Sequence, residues 1–401
     1  MEKKRIMLIV PMLDQGGLER VCAATARLLK EEYAVHLVVF NTAGMIYDVS
    51  GVEMTDLNLG AVDGRFGKVR NVFRRVRRVR ALKKRLDIQL SYSFGPTANL
   101  VNVISKHKDV TWIGVRGYGA LNSKASMRLT CGLADRVVSC TRVMEQEIVR
   151  QFHPKKSAAV YNPCDIAEIT RQSQCDTAAA FDRFFARKGK TVVSMGREHD
   201  VKGFWHLVKA VSLVRQQMPD VKLMIIGAGD YSAYKTLAEQ LGMGDDVLFT
   251  GVQSNPFALL KKADVYALTS ESEGFPNALI EAMAVGLPCV SVNCLTGPAE
   301  ILHEDYGQCR DENRVFHADY GILTGVFHGD RDMDARHITE EERMFAQELE
   351  GLLADEGMYR RYQDAARKRA EAFGMETYRC RIRDLVEEDV KDSALHGRGR
   401  N

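Results

Sequence analysis

A chain of 401 residues is too long for one ordinary hydrophobic core, so two domains are expected. Its composition, 45% hydrophobic and 27% charged, is that of a globular protein. No apolar run approaches the roughly 20 residues of a membrane-crossing helix, and the net charge of +3 is small.

The N-terminus, MEKKRIMLIVPML, joins a charged start to a short apolar stretch. Acidic Asp14 and Glu19 flank a Gly-Gly turn where a cleavage site would stand, so no signal peptide is expected. Arg5–Pro11 reads as a strand, Asp14–Gly17 as a turn, Leu18–Glu32 as a helix and Val35–Phe40 as a second strand. Gly16 and Gly17 stand at a strand-to-helix turn, where a missing Cβ lets the backbone approach a ligand closely. A plain tight turn uses the same residues, and this is not a G-x-G-x-x-G dinucleotide fingerprint.

Arg65–Arg85 is the most biased segment, with eleven Lys or Arg in 21 residues and no acid. The other 45 basic residues face 53 acidic ones, so a positive segment is set on an otherwise acidic protein. Val69, Val72, Phe73, Val76 and Val79 fall within an arc of roughly 120° at helical spacing, the expected core face. Arg74, Arg75, Arg77, Arg78, Lys83 and Lys84 are expected to meet an anionic membrane surface. Each cation there is worth roughly 1 kcal/mol, and a handful hold a protein reversibly. Nucleic acid is the competing partner, but no base-stacking module or groove-reading motif accompanies the helix.

Ile88–Tyr92, Thr111–Val115, Arg136–Cys140 and Ala158–Tyr161 read as further strands, with helices at Pro96–His107 and Arg142–Phe152. Asn162-Pro163 marks a hinge, and polar residues 165–190 lead to the strand Thr191–Met195. Arg197 and Lys202 follow that strand and precede a helix, so both can reach a ligand crevice. Val221–Ile226 ends in Gly227-Ala228-Gly229, and Val247–Thr250 is followed by Gly251–Gln253. The nine cysteines form no C-x-x-C pair and fit a reducing cytoplasm. The ten histidines lack ligand spacing, so no metal is expected.

Residues 263–302, ADVYALTSESEGFPNALIEAMAVGLPCVSVNCLTGPAEIL, organise the second half. Ala263–Leu268 is a strand, Thr269–Pro276 a polar loop, Asn277–Val285 a helix stopped by Gly286 and Pro288, and Cys289–Val292 a parallel strand. With Asn277 as cap, Ala278 and Leu279 offer backbone N–H groups to an anion such as phosphate. Glu281 then leans toward the same place, where it accepts hydrogen bonds from sugar hydroxyls more readily than it touches phosphate. Glu273, eight residues earlier, faces the crevice from the other side. This set suits a sugar nucleotide.

EGFPNALIEAMAVGLPCV resembles the E-x7-E signature of retaining GT-B glycosyltransferases, family 4 in particular. Arg197 and Lys202 in GREHDVKG resemble the family's phosphate-binding pair in spacing and context, and GPAEIL resembles an element of its polysaccharide-building members, the bacterial capsule, exopolysaccharide and O-antigen enzymes. The resemblance covers nearly the whole chain and is strongest in its second half. It implies an α/β GT-B fold, two Rossmann-like domains whose parallel sheets face a central cleft. The domains expected are 1–164, on the acceptor and membrane side, and 165–375, binding the donor. A helix over 376–392 crosses back to the first domain, and 393–401 is a disordered tail.

By the same resemblance the activity is transfer, with retention, of a sugar from a nucleotide donor, a UDP-sugar, to a hydroxyl of a lipid-linked saccharide. Arg197 and Lys202 would hold the diphosphate, Glu273 the transferred sugar and Glu281 the ribose. Gly196, Gly227, Gln253 and the backbone of Phe275, Pro276, Asn277, Ala278 and Leu279 would complete the donor site. Gly16, Gly17 and Arg116 would face the acceptor; Arg116 stands where many members carry a histidine. No cofactor or metal is implied, and the location is the cytoplasmic face of the plasma membrane. An epimerase or phosphorylase on the same fold and a non-catalytic docking subunit remain alternatives.

Overall fold

Short strands of mostly apolar residues, joined by helices, build two sheets in a computed structural model that describes residues 3–14, 16–309, 311 and 313–397. The chain divides into unit 1, Met1–Pro163 with Met375–Asn401, and unit 2, Cys164–Gly374. Each border lies one residue before the expected one.

Unit 1 holds β1 (Arg5–Val10), β2 (Ala34–Val39), β3 (Glu53–Asp56), β4 (Leu90–Phe94), β5 (Val110–Val115), β6 (Arg136–Ser139) and β7 (Ser157–Ala159). They pair in parallel in the order β3-β2-β1-β4-β5-β6-β7. Side chains alternate along β1, as the strand period requires. Ile6, Leu8 and Val10 join one core. Met7 and Ile9 pack on the other face with Val79 and Leu82.

The helix Met375–Gly397 supplies Tyr378, Ile382, Leu385 and Val386 to the first of these cores. Asp389 anchors it. Its carboxylate accepts from Trp112 Nε1 at 2.8 Å, Arg136 Nε at 2.7 Å and Nη2 at 2.8 Å, and Lys156 Nζ at 2.7 Å. Burial alone would raise the Asp389 carboxyl, but the Arg136 and Lys156 bonds outweigh it and hold it below its ordinary value. The helix runs to Gly397 instead of ending at 392, because Ser393–His396 contains neither Gly nor Pro. The rest of the expected tail, 398–401, lies outside the described residues.

The basic helix Arg65–Arg85 corrects two expectations. Arg75 is buried, its Nε donating to the Leu59 carbonyl at 3.0 Å, and Lys83 is fully buried against Asp109 at 2.9 Å. Arg78 bonds the Leu57 carbonyl. These three satisfy backbone and carboxylate groups that burial would otherwise leave unpaired. Conversely, Val69 and Phe73, expected in the core, are 70% and 68% exposed, and Phe66 is 93% exposed. Of the helix's apolar side chains, Val72, Val76, Val79 and Leu82 are the ones that pack into the core. Arg74, Arg77 and Lys84 are exposed as expected.

Unit 2 holds β8 (Thr191–Met195), β9 (Lys222–Ile226), β10 (Val247–Phe249), β11 (Val265–Leu268), β12 (Cys289–Val292), β13 (Phe316–His317) and β14 (Ile322–Thr324). Their order is β10-β9-β8-β11-β12-β14-β13. All pairs are parallel except β13 with β14. In β14, Ile322 and Leu323 are buried beside β12. No described helix is long and apolar enough to cross a membrane.

Candidate active site

The strand order of unit 2 reverses between β8 and β11. Ligands of open parallel sheets bind at the carboxyl ends of the strands, at such a switch point. β8 pairs β11 through Val192 with Val265 and Val193 with Tyr266, so their following loops start side by side. One loop carries Gly196, Arg197 and Lys202, and the other carries Glu273.

Lys202 Nζ donates to Glu273 Oε1 at 2.6 Å, with 25% and 11% of the side chains exposed. The Lys202 stem crosses Gly196, where an added Cβ would stand 3.4 Å from Lys202 Cε. The two loops are also tied at the backbone. The Thr269 hydroxyl donates to the Lys202 carbonyl at 2.9 Å, and the Glu271 N–H to the Val201 carbonyl at 2.9 Å. Arg197 is exposed on the same loop. An exposed cation, a half-buried cation and a carboxylate therefore share one strand end.

The next loop closes from the β9 side. Gly227 has φ 149°, and a Cβ there would lie 1.9 Å from the Gly196 carbonyl oxygen, so only glycine fits. Its N–H donates to the Gly251 carbonyl at 3.1 Å, which stacks the loops after β8, β9 and β10. Gln253 turns onto its own loop, Nε2 donating to the Thr250 carbonyl at 2.7 Å.

The helix Asn277–Val285 is capped by Pro276, so Asn277 occupies its first turn and is not the cap. The fixed φ of proline starts the helix one residue early. The Leu279 N–H is consumed by the Pro276 carbonyl at 3.0 Å and is not offered to an anion. Asn277 and Ala278 hold the first two positions of the helix. The Phe275 ring turns inward onto Phe373, centroids 5.5 Å apart, and anchors the loop. Glu281 is only 4% exposed. Burial pushes the nearby Tyr266 hydroxyl well above its ordinary value, and the carboxylate charges of Glu273 and Glu281 add to this.

Two supporting residues had no signal of their own in the sequence. The Thr296 hydroxyl donates to the Glu273 carbonyl. Gly297, at φ 100°, brings its backbone so close that a Cβ would lie 2.4 Å from Pro276 Cδ. Gly297 belongs to the noted GPAEIL stretch, whose role is thus to prop the glutamate loop; a lone threonine hydroxyl carries no pattern.

In unit 1, Gly16 caps the helix Gly17–Leu29 and accepts from the Tyr47 hydroxyl at 2.9 Å. Arg116 follows β5 but turns inward. Its Nη1 donates to the Val160 carbonyl at 3.1 Å and Asn162 Oδ1 at 3.0 Å, and its Nη2 bonds the Tyr92 hydroxyl. It braces the segment ahead of Pro163.

Residues 177–318 match the family model for glycosyl transferases group 1. An uncharacterized glycosyltransferase of Methanocaldococcus jannaschii is 32% identical over 249 residues, which is 61% of each chain. A Campylobacter jejuni N-acetylgalactosaminyltransferase, named for a diphospho-undecaprenol acceptor, is 23% identical over 92% of this chain and 96% of its own. HepE of Anabaena, solved with UDP-glucose, superposes with a TM-score of 0.72 at 17% identity, over 96% of this chain and 99% of that one. This last likeness concerns the fold, two α/β units of the GT-B kind. The matched region, residues 177–318, spans the loops after β8 and β11 that carry Arg197, Lys202 and Glu273, so it is this part of the chain that is similar to the group 1 glycosyl transferases.

Proposed function

We propose that this protein transfers a sugar from UDP, with retention, to a hydroxyl of a lipid-linked saccharide during synthesis of a bacterial surface polysaccharide. The observation that carries the reading is the Lys202–Glu273 pair at the switch point, 2.6 Å apart, with Arg197 on the same loop. Fixed cations at that place stabilise the charge that develops on a departing diphosphate. Arg197 and Lys202 take the diphosphate, and Lys202 leaves Glu273 as it does so. Glu273 is then released to the hydroxyls of the transferred sugar, while Glu281 serves the ribose.

The acceptor oxygen bonds to the anomeric carbon as the bond from that carbon to the UDP oxygen breaks on the same face. A phosphate oxygen of the leaving UDP takes the acceptor proton, so no enzyme nucleophile is required. The two side-chain cations supply the positive charge, and activity is expected to persist in EDTA.

The exposed face of the helix Arg65–Arg85 supports peripheral binding at the inner face of the plasma membrane. Phe66, Val69 and Phe73 present an apolar strip beside the exposed Arg74 and Arg77. The test is thermal unfolding with a panel of nucleotides and nucleotide sugars, then UDP release with and without acceptor. Ligand at 100 times its Kd adds about 2.7 kcal/mol. Protection by UDP and one UDP-sugar, lost in Arg197→Ala and Glu281→Ala, supports the donor site. Protection by a GDP- or ADP-sugar overturns the donor, and isomerised donor without acceptor-dependent UDP release marks an epimerase.

A further inference from the structure

A cavity of about 440 Å³ opens in unit 1 among the turn Tyr118–Asn122 and the helices Lys124–Leu133 and Arg142–Phe152. The turn begins three residues after β5 ends, on the side of a parallel sheet where ligands bind. Lys124, Arg128 and Arg150 line the cavity, with Tyr118, Asn122 and Gln151 as polar neighbours, and none of the lining residues is acidic. Glu147 already neutralises Arg150 through bonds of 2.9 and 2.5 Å. Lys124 and Arg128 make no ion pair among the described residues.

Isolated surface cations normally point into water and mean nothing. Here Lys124 and Arg128 share one concavity with the Glu147-paired Arg150, and their two uncompensated charges repel one another until an anion arrives. Small-molecule sites span about 300–1,000 Å³, so the space exceeds what a lone phosphate fills. The same two helices also expose Leu129, Leu133 and Val149, at 47%, 43% and 44%. Leu129 and Val149 directly adjoin the cationic Arg128 and Arg150 in sequence. Cations inside and apolar side chains outside suit a ligand with a multiply charged head and a hydrocarbon chain.

We propose that this cavity binds the diphosphate group of an amphiphilic acceptor, with Lys124, Arg128 and Arg150 on the phosphates and Leu129, Leu133 and Val149 along the chain. The proposal rests on the reading of a lipid-linked acceptor and adds the site that holds its charged head.

Full-length protein saturated with UDP, which keeps the unit 2 site occupied, is titrated calorimetrically with inorganic pyrophosphate and with farnesyl diphosphate. Both are expected to bind wild type, farnesyl diphosphate more tightly. The double variant Lys124→Gln/Arg128→Gln is expected to lose at least tenfold for both probes, and Leu129→Ser/Leu133→Ser for farnesyl diphosphate alone. No binding to wild type, or unchanged binding to the charge variant, overturns the site. Equal affinity for both probes, unaffected by the leucine variant, overturns the lipid part and leaves a free diphosphate as ligand. Failure of the glycosyltransferase reading is seen separately, as absent UDP binding in a protein whose pyrophosphate titration still responds to Lys124 and Arg128.

Discussion

Asp389→Asn isolates the contact by which the returning helix holds unit 1. The carboxylate accepts four hydrogen bonds from three side chains, and it and Arg136 each keep only 4% of the side chain exposed. An asparagine oxygen can retain Trp112 and Arg136 Nε, but its amide group then faces Arg136 Nη2 and Lys156 Nζ, donor against donor. Two charge-assisted bonds are lost, each worth about 1.5–3 kcal/mol. This agrees with the 3–5 kcal/mol typical of breaking a buried pair. For a unit of this size the midpoint should fall by roughly 10 °C. Urea and thermal unfolding followed by circular dichroism read it, and Glu388→Gln, about half exposed, is the control expected within about 0.5 kcal/mol.

The pH dependence supplies the sign. The folded value of Asp389 is depressed below the unfolded value of about 3.9, so the folded state binds fewer protons. Its stabilisation is present above about pH 4 and is lost as pH falls through the folded value. The gap between wild type and Asp389→Asn should therefore narrow in acid. A gap under 1 kcal/mol at pH 7, or one unchanged between pH 7 and 3, would falsify this account of the helix.

Gly227→Ala forces a Cβ to within 1.9 Å of the Gly196 carbonyl, so the loop carrying Arg197 must shift; nucleotide protection should vanish while far-UV circular dichroism stays native. Thr296→Val removes the donor to the Glu273 carbonyl, at a cost of about 1–2 kcal/mol in loop placement. Transfer should fall about tenfold in kcat with UDP affinity kept, and an unchanged kcat would remove Thr296 from the site. Replacing Arg74, Arg77 and Lys84 by Gln should weaken flotation with phosphatidylglycerol vesicles by about 3 kcal/mol, at roughly 1 kcal/mol each. Arg75→Gln should instead lower the melting temperature, because Arg75 serves buried carbonyls; vesicle binding that depends on Arg75 as much as on Arg74 would contradict the division of the helix.

Local pattern by itself determined much of this protein. Alternating apolar strands, glycine stops and the spacing of Glu273 and Glu281 placed the parallel sheets and located the loops after β8 and β11, because period, turn chemistry and strand-end position are local properties. Tertiary structure decided the partners. Eleven cations on one helix are indistinguishable in sequence, yet Arg75 and Lys83 turn to Leu59 and Asp109 while Arg74 and Lys84 face solvent. Which cation is buried depends on a carbonyl or carboxylate brought from 16 or 26 residues away. Arg116 is spent on Tyr92 and Asn162, and Thr296 reaches Glu273 across 23 residues. Residues so far apart meet only when the sheet is assembled, so no periodicity in the chain announces them.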